Sequence, residues 1–157
     1  MTKMKKILLL LLISIPVLLL TGCGSKNVEG NLEDIMTKIY ADIPEEERPM
    51  MLMNTPISDE NIENFLGTKD IEYKEALASE SATGSIAHSV ILVRAKENAD
   101  VEKMKSKIQD SVDPRKWICV GVEDEDVIVK SKGDLIIVII VEDETNRDKL
   151  EKGFDNL

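Results

Sequence analysis

Hydrophobic and polar positions along this 157-residue chain follow several different periods, and each period predicts an element. Residues 7–20 form an apolar run that only Ser14 and Pro16 interrupt. Between residues 32 and 43, apolar side chains recur every three or four positions. This spacing predicts an amphipathic helix, with Asn31 as its N-cap.

An apolar patch and a short helix come next. From Ser58 to Gly67 the sequence predicts a helix that Ser58 caps and Gly67 ends. Methionines fill irregular gaps in a hydrophobic core more often than they form an adaptable binding surface. We therefore expect the methionine-rich patch before this helix to be buried, and a binding surface is the alternative. The patch consists of Met50, Met51, Leu52 and Met53.

The second half of the chain alternates between the twofold period of strands and the longer period of helices. Because residues 135–141 are apolar without interruption, they predict a central strand that is covered on both faces. The order of the elements predicts an α+β fold, a two-layer sandwich of helices on a mainly antiparallel, four-stranded sheet. The predicted elements are strands at 71–79 and 86–95, a helix that begins after Asn98 or Asp100 and ends before Pro114, a hairpin of strands 127–130 and 134–141, and a last helix at about 144–156.

The N-terminal apolar run has the context of a secretory signal peptide. Three lysines precede it, and the small residues Thr21 and Gly22 follow it. The run has 14 residues, whereas a membrane-spanning helix needs about 20. We therefore expect a segment that is removed rather than a transmembrane anchor.

The end of this segment, Leu20-Thr21-Gly22-Cys23, resembles the lipobox of bacterial lipoproteins, in which the cysteine receives a diacylglycerol and the chain is cut just before it. The resemblance implies that Cys23 is the lipid attachment site and the new N-terminus, at the extracytoplasmic face of the cell membrane. Two or more acyl chains hold a protein stably on a bilayer. The alternatives are an ordinary signal peptide with an incidental cysteine, or a cytosolic protein.

Three segments follow from these features: a signal peptide at 1–22, a lipidated cysteine and short linker at 23–30, and one α+β domain at 31–157. Removing the signal leaves 17 basic and 30 acidic residues, a formal charge of −13. Such a charge disfavours nucleic-acid binding. Only five aromatic residues are present, which disfavours sugar recognition by stacking. The partners we expect are the membrane, through the anchor, and a membrane or envelope protein with a basic face.

Two single residues are candidates for chemistry. Cys119 is the only other thiol, and its apolar neighbours Trp117, Ile118 and Val120 predict a buried side chain rather than a nucleophile. His88 is the only histidine, and its place on a predicted strand indicates packing rather than catalysis. One histidine and one free cysteine do not form a usual zinc site, so we expect no metal and no cofactor.

Charged residues cluster around one segment. Arg115 and Lys116, beside Trp117, suggest either a small binding spot or basic residues that complement a helix dipole. The acidic run that follows could bind calcium, but it lacks the spacing of an EF-hand loop, and a solvated turn is favoured. This run consists of Glu123, Asp124, Glu125 and Asp126.

Residues 85–89, 114–123 and 133–137 resemble a family of small Gram-positive lipoproteins grouped under a domain of unknown function. The resemblance implies a lipid-anchored extracytoplasmic domain, and it implies no activity or ligand. Residues 79–84 depart from the family pattern. Two hypotheses follow: a noncatalytic, membrane-tethered interaction module, which we expect, or a small extracytoplasmic enzyme that uses carboxylates, with His88 as a possible participant.

Overall fold

A computed structural model describes residues 26–157, so the predicted signal peptide and Cys23 lie outside the described residues. The elements, in chain order, are α1 (Leu32–Ile39), β1 (Leu52–Ile57), α2 (Ile62–Leu66), β2 (Tyr73–Ser81), β3 (His88–Ala95), α3 (Val101–Ser111), β4 (Ile128–Lys132), β5 (Leu135–Val141) and α4 (Glu144–Asp155).

The fold is α+β, with one antiparallel sheet in the order β1-β2-β3-β5-β4. The prediction of four strands is wrong, because β1 adds a fifth at the edge beside β2. The methionine patch and Pro56 belong to this additional strand or lead into it. Proline is tolerated there because an edge strand leaves every second backbone N–H without a partner strand.

The two-layer arrangement is also wrong, because both faces of the sheet are covered. Ile91 and Val93 of β3 belong to a core beneath α2 and α3, while Val90 and Leu92 belong to a core beneath α1 and α4. Successive strand residues point to opposite faces, so β3 and β5 are buried along their whole length. This confirms the prediction that the apolar strand β5 is covered on both faces.

Capping side chains and a glycine set the ends of the helices, and the sequence predicts some of these residues. The Asn31 side chain accepts the Asp34 N–H at 2.8 Å, which confirms Asn31 as the cap of α1. Asp100 caps α3 in the same way. The helix predicted from Ser58 is shorter than expected, because its cap position is Asn61. It ends at Gly67, whose φ of +68° and close approach to the carbonyl of Ser111 leave no room for a side chain.

The two ends of the sheet differ in the segments that meet there. The described chain enters beside the β4–β5 turn, where Asn27 packs against Gly133; we call this the entry end. The opposite end, where β1 begins, β2 ends and β3 begins, is the distal end. The eight residues of β3 separate the two ends by about 23 Å. Between residues 26 and 157, no helix has the length and apolar character needed to cross a bilayer.

Candidate interaction surface

Four large apolar side chains are exposed in the described part of the chain, and all of them lie at the distal end. We call them the distal patch: Met50, Met51, Met53 and Ile118, with exposed fractions of 71, 66, 56 and 74%. Because a side chain this exposed is not part of a core, the prediction of a buried methionine patch is wrong. Met50 and Met51 precede β1 and Met53 lies on it, at the edge of the sheet, while Leu52 is half-buried against the core beneath α1 and α4.

Backbone hydrogen bonds hold the two halves of the distal patch to one connection, the loop between β2 and β3. The Ala82 N–H donates to the carbonyl of Met51 at 3.0 Å. At the other side of the loop, the Ile118 N–H donates to the carbonyl of Gly84 at 2.9 Å. The patch is therefore assembled from segments more than 60 positions apart in the sequence.

The loop that carries Ile118 is fixed from below by Lys116. The Lys116 ammonium forms an ion pair with Glu80 and lies 5.3 and 5.2 Å from the ring centres of Phe65 and Trp117. Glu80 also accepts the Ser89 hydroxyl at 2.5 Å. Lys116 is thus a half-buried cross-link between loop and sheet rather than a free basic spot.

Cys119 is exposed, so the prediction that its thiol is buried is wrong. It adopts a positive φ of 63°, which turns the chain at the outer surface of the loop. Of its apolar neighbours, Trp117 and Val120 pack against the core while Ile118 points outward. An irregular loop has no fixed period, and the apolar character of this segment therefore did not reveal which side chains are buried.

The free edge of β1 adjoins the distal patch. Because Ala82 bonds to Met51, and hydrogen-bonded pairs alternate along an antiparallel ladder, the backbone groups of Leu52, Asn54 and Pro56 point away from β2. The Pro56 carbonyl agrees with this assignment, since it accepts the Asn61 side-chain amide at 3.4 Å rather than a group of β2. The edge therefore presents the N–H and C=O groups of Leu52 and Asn54 outward.

His88 lies inside the molecule, as predicted, with 3% of its surface exposed. Its Nε2 is 2.7 Å from the hydroxyl of Tyr40, which reaches it from α1's C-terminal end. Burial lowers the pKa of His88 to about 4, although the charge of Asp143 opposes this, and burial raises the pKa of Tyr40. Both groups are therefore neutral at pH 7, which suits a structural hydrogen bond better than acid–base catalysis.

A cavity of about 590 Å³ borders His88, and its other polar lining includes Glu47, Glu142, Asp143 and Glu144. These carboxylates are the strongest support for the enzyme hypothesis. Within residues 26–157, however, no hydrogen bond joins a serine, threonine or cysteine side chain to His88. We identify no nucleophile, base and orienting group in catalytic arrangement there.

The acidic run forms a short 3₁₀ turn, and its two ends are paired with arginines. Glu123 binds Arg115 at 2.6 Å, and Asp126 binds Arg147 at 2.9 Å. Among the described residues, no group of three or more histidine, cysteine, aspartate or glutamate side chains is placed to hold a metal ion. The run is therefore an exposed turn before β4, as predicted, and Asp126 links it to α4.

Arg94 is a residue that the sequence analysis did not identify. It is 7% exposed, and it donates to the carbonyls of Val28 and Gly30 at 2.8 and 2.9 Å. Burial alone would lower its pKa, but the carboxylates of Glu75 and Asp134 outweigh burial and raise it. Arg94 thus fastens the first described residues to the entry end. A single arginine in an apolar strand was the one available signal, since a charge there needs partners.

Comparison of the chain with protein-family models, with curated proteins and with solved structures gives no match. The family resemblance in the sequence therefore stays a prediction.

Proposed function

We propose that this protein is a lipid-anchored extracytoplasmic lipoprotein that acts as a noncatalytic interaction module, attached through Cys23 and directed at a membrane or envelope protein. The lipobox resemblance and the preceding signal pattern support the anchor. The observation that carries the interaction role is the distal patch. Folded domains rarely expose a cluster of large apolar side chains, and such clusters commonly mark binding sites.

The position of the patch suits a tethered protein. The chain enters at one end of the sheet, and the patch lies about 23 Å away at the other end. An anchor beside the entry end would leave the patch directed away from the bilayer. Tethering also raises the effective concentration for neighbours on the same membrane, so a weak interaction is sufficient.

The anchor is tested by the Cys23→Ala variant. We expect it to lose fatty-acid labelling and either to be released or to remain as unprocessed precursor. Unchanged labelling would show that the chain is not a lipoprotein.

The interaction is tested by photocrosslinking in intact cells of the source organism. A photoreactive amino acid replaces Met51 in the full chain, and a matched control carries it at Lys103, an exposed position on α3. We expect a crosslinked protein at position 51 that is weak or absent at 103. Equal crosslinking at the two positions, or none at 51, contradicts the interaction role of the patch.

A further inference from the structure

We infer that β1 accepts an extended segment of the partner protein as a sixth strand of the sheet. This inference rests on the proposed interaction role and specifies how the partner binds. Backbone groups of Leu52 and Asn54 would provide the hydrogen bonds, and the distal patch would contact alternate side chains of the added strand.

The two edges of the sheet are built differently, and only one of them is protected. At the β4 edge, Lys130 pairs with Glu151 and Asp155 of α4, and Lys132 donates to the carbonyl of Leu157. Lysines and a covering helix are common defences against unwanted strand pairing. The lysines of β4 therefore disfavour strand pairing at this edge, and all five residues of β4 are half-buried.

The β1 edge has none of these defences along its first half. Its sequence, Leu-Met-Asn-Thr-Pro-Ile, contains no charged residue, and four of its six residues are exposed. Pro56 blocks pairing at one end, since it has no N–H to donate. An added strand would thus be confined to the stretch beside Leu52 and Asn54, next to the distal patch.

The two faces of the edge indicate the chemistry of the added segment. Thr55 lies opposite Ala78, which is buried beneath α2 and α3. Because side chains alternate along a strand, Met53 points to that same face, whereas Met51 lies just before β1 and has a positive φ of 54°. The side chains of the partner that face Met53 should be apolar.

On the other face, β1 borders a groove of about 280 Å³ whose charged lining residue is Arg48, although the chain as a whole has a net charge of −10. Arg48 donates to the carbonyls of Ile43 and Tyr40 at 3.0 and 3.1 Å. A guanidinium has five N–H donors, so Arg48 can bind a further acceptor. The partner segment should therefore carry a carboxylate on this face. The remaining lining residues are Met36, Thr37, Tyr40, Leu52, Asn54 and Ser79.

A second copy of this chain fits the edge poorly. Antiparallel pairing of β1 with β1 of a second copy would point the two entry ends in opposite directions. Two lipid anchors would then be unable to reach the same membrane, because residue 23 is only a few residues from the entry end.

The test identifies the partner segment and then asks whether it forms a strand. The full chain with a photoreactive residue at Ile118 is crosslinked in cells, and the crosslinked segment of the partner is sequenced by mass spectrometry. That segment, made as a synthetic peptide, is added to the full chain in lipid nanodiscs. Amide hydrogen exchange should slow about tenfold or more at Leu52 and Asn54, whereas Met53 and Thr55, which already bond to β2, should hardly change.

A matched pair of variants isolates the backbone contribution. Asn54→Pro removes the outward N–H, while Asn54→Ala removes the same side chain and keeps that N–H. We expect the proline variant to bind the peptide about tenfold more weakly than the alanine variant. Melting temperatures check that both variants fold, and if the proline variant does not, the exchange at Leu52 and Asn54 in the unmodified chain decides.

The outcomes separate this inference from the proposed function. A crosslinked partner whose peptide binds without protecting Leu52 and Asn54 overturns strand addition and leaves the interaction role standing. A crosslink to a second copy, to residues 1–25 or to lipid overturns the inference as well. No crosslink at either Met51 or Ile118 contradicts both.

Discussion

His88 and Tyr40 form a buried hydrogen bond that depends on a neutral imidazole. Burial lowers the pKa of His88 from 6.5 to about 4. Between these two pH values, His88 therefore binds a proton more readily in the unfolded chain than in the folded one. Stability is then complete above about pH 6.5 and falls as the pH decreases toward 4. The tyrosine is 48 positions away in sequence, and no local pattern could have predicted the pair.

Urea unfolding of the wild type and of His88→Gln between pH 7 and pH 4 tests this dependence. Glutamine can still accept the Tyr40 hydroxyl, but it does not titrate. We expect the wild type to lose up to about 3 kcal/mol more than the variant across this range. Parallel pH profiles would show that His88 is protonated equally in the folded and unfolded states.

Cys119 should react rapidly with a thiol reagent in the native state, because its side chain is exposed. The rate should approach that of the urea-unfolded protein, and if Cys23 carries the proposed lipid, Cys119→Ser should abolish the reaction. A native thiol that reacts only after unfolding would mean that the loop around Ile118 is packed differently. Native labelling would not indicate a catalytic thiol, since exposure alone explains it.

The predicted and observed elements show which parts of the fold are determined by the local sequence. Strand β5 and the cap Asn31 were predicted correctly, and the structure selects Asp100 from the two candidate caps of α3, because an unbroken apolar run and a capping side chain act locally. Strand β1 was missed, since Asn54 and Pro56 favour turns in most contexts. Its pairing with β2 comes from tertiary contact that the sequence pattern does not contain.

The distal patch was missed for a related reason. The sequence identified the methionines and left a binding surface as the alternative, but whether they are buried depends on what covers β1. Ile118 joins them only through the loop that Lys116 and Glu80 hold to the sheet. A contact between segments so far apart in the chain gives no periodic signal.

Arg94 helps to hold the first described residues to the sheet, and this contact gives a testable prediction. Replacing Arg94 by methionine removes the donors to Val28 and Gly30 and leaves two carboxylates without a partner. Glu75 and Asp134 retain 42 and 25% exposure, so water compensates in part, and we expect a loss of about 2 kcal/mol. Urea unfolding measures it.

Limited trypsin digestion distinguishes local release from general destabilisation. In Arg94→Met, cleavage after Lys26 should accelerate more than cleavage at sites in α3 such as Lys103. As a control, Arg115→Met removes an exposed arginine that pairs with Glu123, and it should leave cleavage after Lys26 unchanged. Uniform acceleration at all sites would contradict a specific role of Arg94 at the entry end.

If Cys23 is lipidated, the short distance between it and the sheet orients the whole molecule on the membrane. Asn27 already packs against Gly133 at the entry end, and Cys23 is four residues before it, a reach of about 14 Å at most. Glu97 follows β3 at the same end, where the Ala95 N–H donates to the carbonyl of Asp134 at 2.8 Å. If Cys23 is lipidated, Glu97 lies near the bilayer and Met51 lies about 23 Å farther out.

Cysteine accessibility measures this orientation. In a Cys119→Ser background, cysteines at Met51 and at Glu97 are labelled with a long polyethylene glycol maleimide, first in membranes and then in detergent. Both positions are exposed in the fold, so the ratio of the two rates reports the membrane alone. We expect a ratio near one at position 51 and a several-fold lower ratio at 97, because the bilayer excludes the polymer from the entry end. Equal ratios would mean that the anchor does not hold the entry end at the membrane, and the distal patch would then have no preferred direction toward a partner.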